Sequence, residues 1–197
     1  MKKCIILQIN YLILICLFIP CVAIAQPICQ IQRFSAYNGL AQRSVTNILQ
    51  DSKGFIWFST WNGLNKFDGY TFKNYKAFPG DGCTLTSNRL AKITQTQTCD
   101  IWCQTYDARV YLFDSHQEKF IDILQPFEQK SGETYIVRKI YALSKGVSWI
   151  VCDHGAFRVD EQKLENEDEG AITPYTPEIG NLPGRKISRI EQDADGR

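Results

Sequence analysis

Three tryptophans stand inside short apolar runs, Ile56-Trp57-Phe58, Ile101-Trp102-Cys103 and Ser148-Trp149-Ile150, and they are 45 and 47 residues apart. Nine residues before each comes an apolar residue that closes a preceding run: Ile48, Ile93 and Ile140. Three residues before each is a turn position held by Gly54, Cys99 and Gly146, and six after it another, held by Gly63, Ala108 and Gly155. An aspartate closes the next run at Asp68, Asp114 and Asp160, with two intervals of 46 residues. One supersecondary unit of about 46 residues is therefore written three times, and a fold built any other way would break the period.

Each unit reads as four short strands joined by tight turns. In the first, residues 45–49, 55–60, 64–67 and 70–75 are the strands. Glycine suits the turns between them because a hairpin turn needs a positive φ, which other residues adopt only under strain. The second unit is degenerate: Thr96 replaces the turn aspartate, Cys99 the first glycine and Ala108 the second, so looser turns are expected there. In the third, the acidic stretch 165–169 reads as a solvated loop that displaces the outer strand to about 171–175. The second strand of the first unit is apolar on consecutive positions, Phe55-Ile56-Trp57-Phe58, the pattern of a strand covered on both faces. Four-stranded units of this period, each sandwiched between neighbours, predict an all-β fold of β-propeller blades. Trp57, Trp102, Trp149, Phe67 and Phe113 are then packing between blades, and the repeated aspartates cap turn N–H groups.

The expected organisation is a signal peptide at 1–25, a lead-in strand over 26–43, blade 1 over 44–83, blade 2 over 84–130, blade 3 over 131–180 and the start of a fourth at 181–197. In the last of these, Ile190 to Gly196 aligns with Ile48 to Gly54, which puts the next tryptophan at position 199. Propellers need about 4 to 8 blades to close, so the chain reads as the front piece of a longer protein. Lys2 and Lys3 precede an uncharged stretch over 4–25 that ends in Ala23-Ile24-Ala25, the form of an export signal cleaved after Ala25. An uncleaved anchor is the alternative; a lipoprotein reading through Cys21 is disfavoured by Pro20. Both main readings place the remainder outside the cytoplasm.

Five cysteines follow the signal, Cys29, Cys83, Cys99, Cys103 and Cys152, an odd number without regular spacing and so no disulfide framework. Cys99 and Cys103 on one strand would hold their Cα atoms about 13 Å apart, beyond the ~7 Å a disulfide tolerates. With His116 and His154 the two histidines of the chain and no C-x-x-C pair, neither a metal nor a cofactor is expected. A net charge of +1, with no run of six like charges, gives no reason to expect nucleic acid as a partner.

Phe34-Ser35-Ala36-Tyr37-Asn38-Gly39-Leu40-Ala41-Gln42, then the run from Val45 to Thr60, then Asn62-Gly63-Leu64-Asn65-Lys66-Phe67-Asp68-Gly69 together resemble the opening of the two-component regulator propeller family. The resemblance covers about 31–160 and, in part, 185–197. It implies the exported, periplasmic sensor propeller of a hybrid histidine kinase that is homodimeric at full length, senses an oligosaccharide and regulates polysaccharide-utilisation genes. It implies no enzyme in this stretch, since neither His116 nor His154 sits in a phosphoacceptor motif and no Gly-rich ATP lid is present.

In a propeller the loops from strand two to three share one face with those entering strand one. That gathers Trp61 and Asn62, Tyr106 and Asp107, and Asp153 and His154, with Arg43, Arg89 and Arg138 entering from the same side. Aromatic faces beside Asn, Asp and Arg suit sugars, by stacking on apolar ring faces and hydrogen bonding to hydroxyls. Arg89 reads first as an interblade ion-pair partner. Two other functions compete: an exported propeller used as a protein-interaction scaffold, and a propeller enzyme, for which Asp153 with His154 is the trace in the sequence.

Overall fold

The computed structural model describes residues 31–78, 85–143, 145–184 and 186–193. The expected signal peptide, Cys29 and Cys83 lie outside these. Residues 34–197 make one compact unit, and of the other unit, 1–33, residues 31–33 are described. No helix among the described residues is long and apolar enough to cross a membrane.

Three four-stranded antiparallel sheets follow one another along the chain, each with its strands in sequence order. Blade 1 is β1 (Val45–Gln50), β2 (Ile56–Thr60), β3 (Gly63–Phe67) and β4 (Phe72–Tyr75). Blade 2 is β5 (Leu90–Gln95), β6 (Ile101–Thr105), β7 (Val110–Asp114) and β8 (Lys119–Ile121). Blade 3 is β9 (Val137–Ala142), β10 (Val147–Cys152), β11 (Gly155–Asp160) and β12 (Ile172–Tyr175). The fold is that of β-propeller blades. Every first strand carries a register shift near its start, at 45–47, 90–92 and 137–139, so even the irregularity repeats.

Tertiary contact explains why the second strands carry consecutive apolar residues. Trp57 is buried where blade 1 meets blade 2, its ring 5.6 Å from that of Phe113, in a cluster with Leu64, Leu90 and Tyr111. Trp102 is buried where blade 2 meets blade 3, with Val137, Ile150 and Phe157. Trp149 is half-buried and packs on Tyr175 of its own blade at 5.0 Å. Phe67 faces away from blade 2: its ring meets Phe34 at 4.8 Å, so the segment before β1 covers that side of blade 1.

That segment is not a strand in its described part. Ala36–Asn38 forms a 3-10 turn capped by Ser35, with Gly39 at φ +102°, and Asn65 Oδ1 fastens it by accepting from the Ala41 N–H (2.8 Å). Gly-punctuated polar sequence favours such a turn over ladder pairing. Residues 186–193, expected to begin a fourth blade, also form no strand. Two short helices interrupt the repeat: α1 (Gln125–Ser131), between blades 2 and 3, and α2 (Glu161–Glu165), between β11 and β12.

The degenerate second unit keeps the turn geometry of the first. Cys99 and Ala108 hold φ of +72° and +60°, in the left-handed region occupied by Gly54 (+89°) and Gly63 (+98°). The expected loosening does not occur; the second blade instead carries strain of about 1–2 kcal/mol at each of these residues. An added methyl at Gly63 would stand 2.3 Å from the Tyr75 carbonyl oxygen, and one at Gly155 2.3 Å from that of Tyr175. Ala108 has room because β8 ends at Ile121, opposite Leu112, before reaching this turn. Arg109 occupies the vacated edge, bound to Asp122 (2.8 Å) and Glu128 (2.7 Å), which ties α1 to the blade. Burial works against the Arg109 charge, but the two carboxylates more than offset it and hold the guanidinium protonated.

Candidate functional site

One backbone hydrogen bond recurs in all three blades and sets the site. The N–H of the residue after strand two donates to the carbonyl just before strand one: Trp61 to Ser44 (3.3 Å), Tyr106 to Arg89 (2.9 Å), Asp153 to Ile136 (3.1 Å). The repeat thereby holds three loops at the same end of successive blades, and the side chain at each loop tip is free to differ.

On blades 1 and 2 these tips meet. Trp61 and Tyr106, 41% and 57% exposed, stand edge to face with ring centroids 6.1 Å apart. The Arg89 guanidinium carbon lies 4.7 Å from the centre of the Trp61 ring. Arg89 forms no ion pair with a carboxylate among the described residues, so its charge is held by an aromatic face, not by the interblade carboxylate the sequence suggested. The result is an exposed, preassembled corner of two aromatic rings and one cation, spanning the seam between two blades.

The other expected residues have structural work beside this corner. Asn62 Nδ2 donates to the Ala41 carbonyl (3.4 Å), and its N–H to Thr60 Oγ1 (3.1 Å). Asp107 Oδ2 accepts from Thr86 Oγ1 (3.1 Å), which also bonds the Tyr111 hydroxyl (2.8 Å). Arg43 and Arg138 are exposed ahead of β1 and within β9. Asp153 and His154 sit apart on blade 3. Asp153 Oδ1 accepts from the Ile136 N–H (3.1 Å), and His154 Nδ1 lies 3.2 Å from Glu133 Oε2. His154 lines a cavity of about 480 Å³ with Glu133, Tyr135 and Thr176. Glu133 and Tyr135 come from the insertion that includes α1, which the repeat does not contain, so spacing carried no signal for them.

The repeated aspartates cap turns at the opposite end. Asp68 Oδ1 accepts from the N–H groups of Tyr70 (2.8 Å) and Thr71 (2.7 Å), Asp114 Oδ1 from His116 (2.7 Å) and Gln117 (2.9 Å), and Asp160 Oδ1 from Lys163 (3.2 Å). The bonds from Thr71 and Tyr70 hold the Asp68 carboxyl below its ordinary range. In the first turn Asp51 Oδ1 accepts from the N–H groups of Lys53 and Phe55 (2.9 Å each), and its Oδ2 accepts from the Trp57 indole (2.8 Å). Thr96 in blade 2 cannot reach its tryptophan this way. The Trp102 indole instead donates to Ser148 Oγ of blade 3 (3.0 Å), which donates to buried Glu161 (2.6 Å). Cys103 and Cys152 are buried free thiols; desolvation raises both, Cys152 to about 12.

Residues 39–62 match the family described as Two component regulator propeller. A 53-residue stretch is 47% identical to Histidine kinase P4 of Formosa agariphila, over 27% of this chain and 4% of that protein. The extracellular domain of BT3049 from B. thetaiotaomicron, described as a hybrid two component system, matches with a TM-score of 0.58 at 26% identity, over 79% of this chain and 21% of that one. The extracellular domain of BT4673 from the same organism, described as a one component system, shares the fold with a TM-score of 0.51 at 24% identity, over 78% of this chain and 21% of that one. The chain thus spans about a fifth of the length of these solved domains and a smaller share of the kinase.

Proposed function

Taking as premise a chain that carries the two-component regulator propeller repeat, we propose that these blades belong to the extracytoplasmic sensor of a hybrid two-component system. The ligand in this reading is an oligosaccharide, and the signal passes to transcription of polysaccharide-utilisation genes. The full-length protein is then exported by the segment 1–25, sits in the inner membrane with its propeller in the periplasm, and works as a homodimer.

The observation that carries the reading is the corner formed by Trp61, Tyr106 and Arg89. A sugar's C–H face can stack on an exposed indole while a guanidinium donates to two neighbouring hydroxyls. Because Trp61 belongs to blade 1 and Arg89 and Tyr106 to blade 2, a bound sugar bridges a seam. A ligand shifts a conformational equilibrium only through differential contacts, and a seam is where those contacts change.

The experiment is a calorimetric screen of the exported region against plant and algal oligosaccharides. One of them binds, and Trp61→Ala weakens it at least about tenfold, as truncating an aromatic anchor does. Equal affinity of the variant for the best ligand would remove the corner from the account, and capture of a protein in place of any sugar would favour an interaction scaffold.

A further inference from the structure

A cavity of about 840 Å³ lies between blades 2 and 3 at the end opposite the Trp61 corner. Its floor is apolar, with Trp102, Leu112, Ile123 and Phe127. Its walls are acidic. Asp100 and Asp114 come from the turns of blade 2, and Glu165, Glu167, Asp168 and Glu169 from α2 and the loop after it. No lysine or arginine lines it, and none of Glu165, Glu167, Asp168 and Glu169 forms an ion pair among the described residues.

This arrangement has a cost the fold could have avoided. Burial, with smaller contributions from repulsion by Asp114 and Glu165, outweighs the hydrogen bond from the Ser115 N–H and raises the Asp100 carboxyl above its ordinary range, and no lysine or arginine lines the cavity to offset it. The floor is also unusual for a blade. The short β8 ends at Ile121, opposite Leu112, and an open trough lies beside it, with Phe127 of α1 and Leu164 of α2 packed against the core that forms its floor.

We propose that this trough is a docking groove for a basic peptide segment of a partner protein, one carrying apolar side chains among its lysines or arginines. The charges choose the sign of the occupant. Their placement along two walls, with no three of the described carboxylates or histidines grouped to hold a metal ion, selects an extended polycation over a single ion. The apolar floor selects side chains that bury carbon between the charges. The volume falls within the ~300–1,000 Å³ of ordinary ligand sites, enough for a few residues of chain. The inference stands apart from the sugar reading, since the two sites are at opposite ends of the blades.

The test uses fluorescein-labelled eight-residue peptides and anisotropy on the whole chain. An alternating Lys–Leu peptide binds saturably. A Ser–Leu peptide, without the charge, and a Lys–Ser peptide, without the apolar groups, each bind at least about tenfold more weakly. Glu167→Gln, Asp168→Asn and Glu169→Gln combined are exposed changes that preserve the circular dichroism spectrum and cost the Lys–Leu peptide a similar factor. No saturable binding, equal binding to the triple variant, or displacement by spermine as readily as by unlabelled peptide would each overturn the proposal, the last because it reduces the groove to a reader of charge alone.

Discussion

Gly63→Ala and Ala108→Gly are the same exchange made in opposite directions at equivalent turns, and the structure predicts opposite signs. At Gly63, φ is +98° and the new Cβ would lie 2.3 Å from the Tyr75 oxygen and 2.9 Å from Lys76 Cβ. Ordinary contact begins near 3.4 Å, so β4 must retreat by about an ångström. Tyr75 cannot move alone, because its ring packs on Trp57 at 5.9 Å and on Phe113 at 4.6 Å across the seam. Left-handed strain of about 1–2 kcal/mol and overpacking of about 1–3 kcal/mol add to a loss of roughly 2–5 kcal/mol. At Ala108 the strain is already present, at φ +60°, and no outer strand stands opposite. Glycine relieves about 1–2 kcal/mol there and gives back about 0.5–1 kcal/mol in unfolded-state entropy, a net gain of roughly 0–1.5 kcal/mol. Guanidinium unfolding followed by tryptophan fluorescence reads both, and in a thermal scan each kcal/mol moves Tm by about 2–4 °C for a unit of this size. A neutral Gly63→Ala, or a destabilising Ala108→Gly, refutes the argument that the length of the outer strand decides where glycine is required.

Arg109→Met strands the Asp122 and Glu128 carboxylates in a largely buried site and is expected to cost about 3–5 kcal/mol by chemical unfolding. Cys103 and Cys152 are expected to resist maleimide in the native protein while Cys99, in an accessible turn, reacts; peptide mapping by mass spectrometry checks this, and rapid native labelling of Cys103 contradicts it. Asp100 has a raised carboxyl pKa in the fold, so the native state binds its proton more tightly than the unfolded chain does. Its contribution to stability is therefore present at acid pH and lost as pH climbs from 3.8 through the folded value, and Asp100→Asn, which keeps an acceptor for the Ser115 N–H, should flatten the urea midpoint over that interval.

The strands were legible because a buried seam forces the same apolar residue at the same place in each blade. Trp57 and Trp102 carry that signal, and Ile172–Tyr175 fell within a residue of its expected start even after an insertion. The helices were not, because α1 and α2 occur once each and are too short for a 3.6-residue period to stand out. Turn chemistry misled at Cys99 and Ala108, where tertiary packing imposes a positive φ that the residue type does not ask for. The corner of Trp61, Tyr106 and Arg89 was readable from loop equivalence, whereas the backbone bonding of Asn62 and the separation of His154 depend on neighbours far off in the chain. The acidic stretch 165–169 is exposed, as its reading as a solvated loop expects, and it also lines the cavity beside blade 2, which its own sequence does not announce.

A crystal structure of the propeller region with the oligosaccharide that binds best in the proposed screen tests the central claim most directly. The account predicts a sugar ring stacked on Trp61 with hydroxyls on Arg89, bridging blades 1 and 2. A sugar bound elsewhere, as in the cavity beside His154, with the Trp61 corner bare, would contradict it.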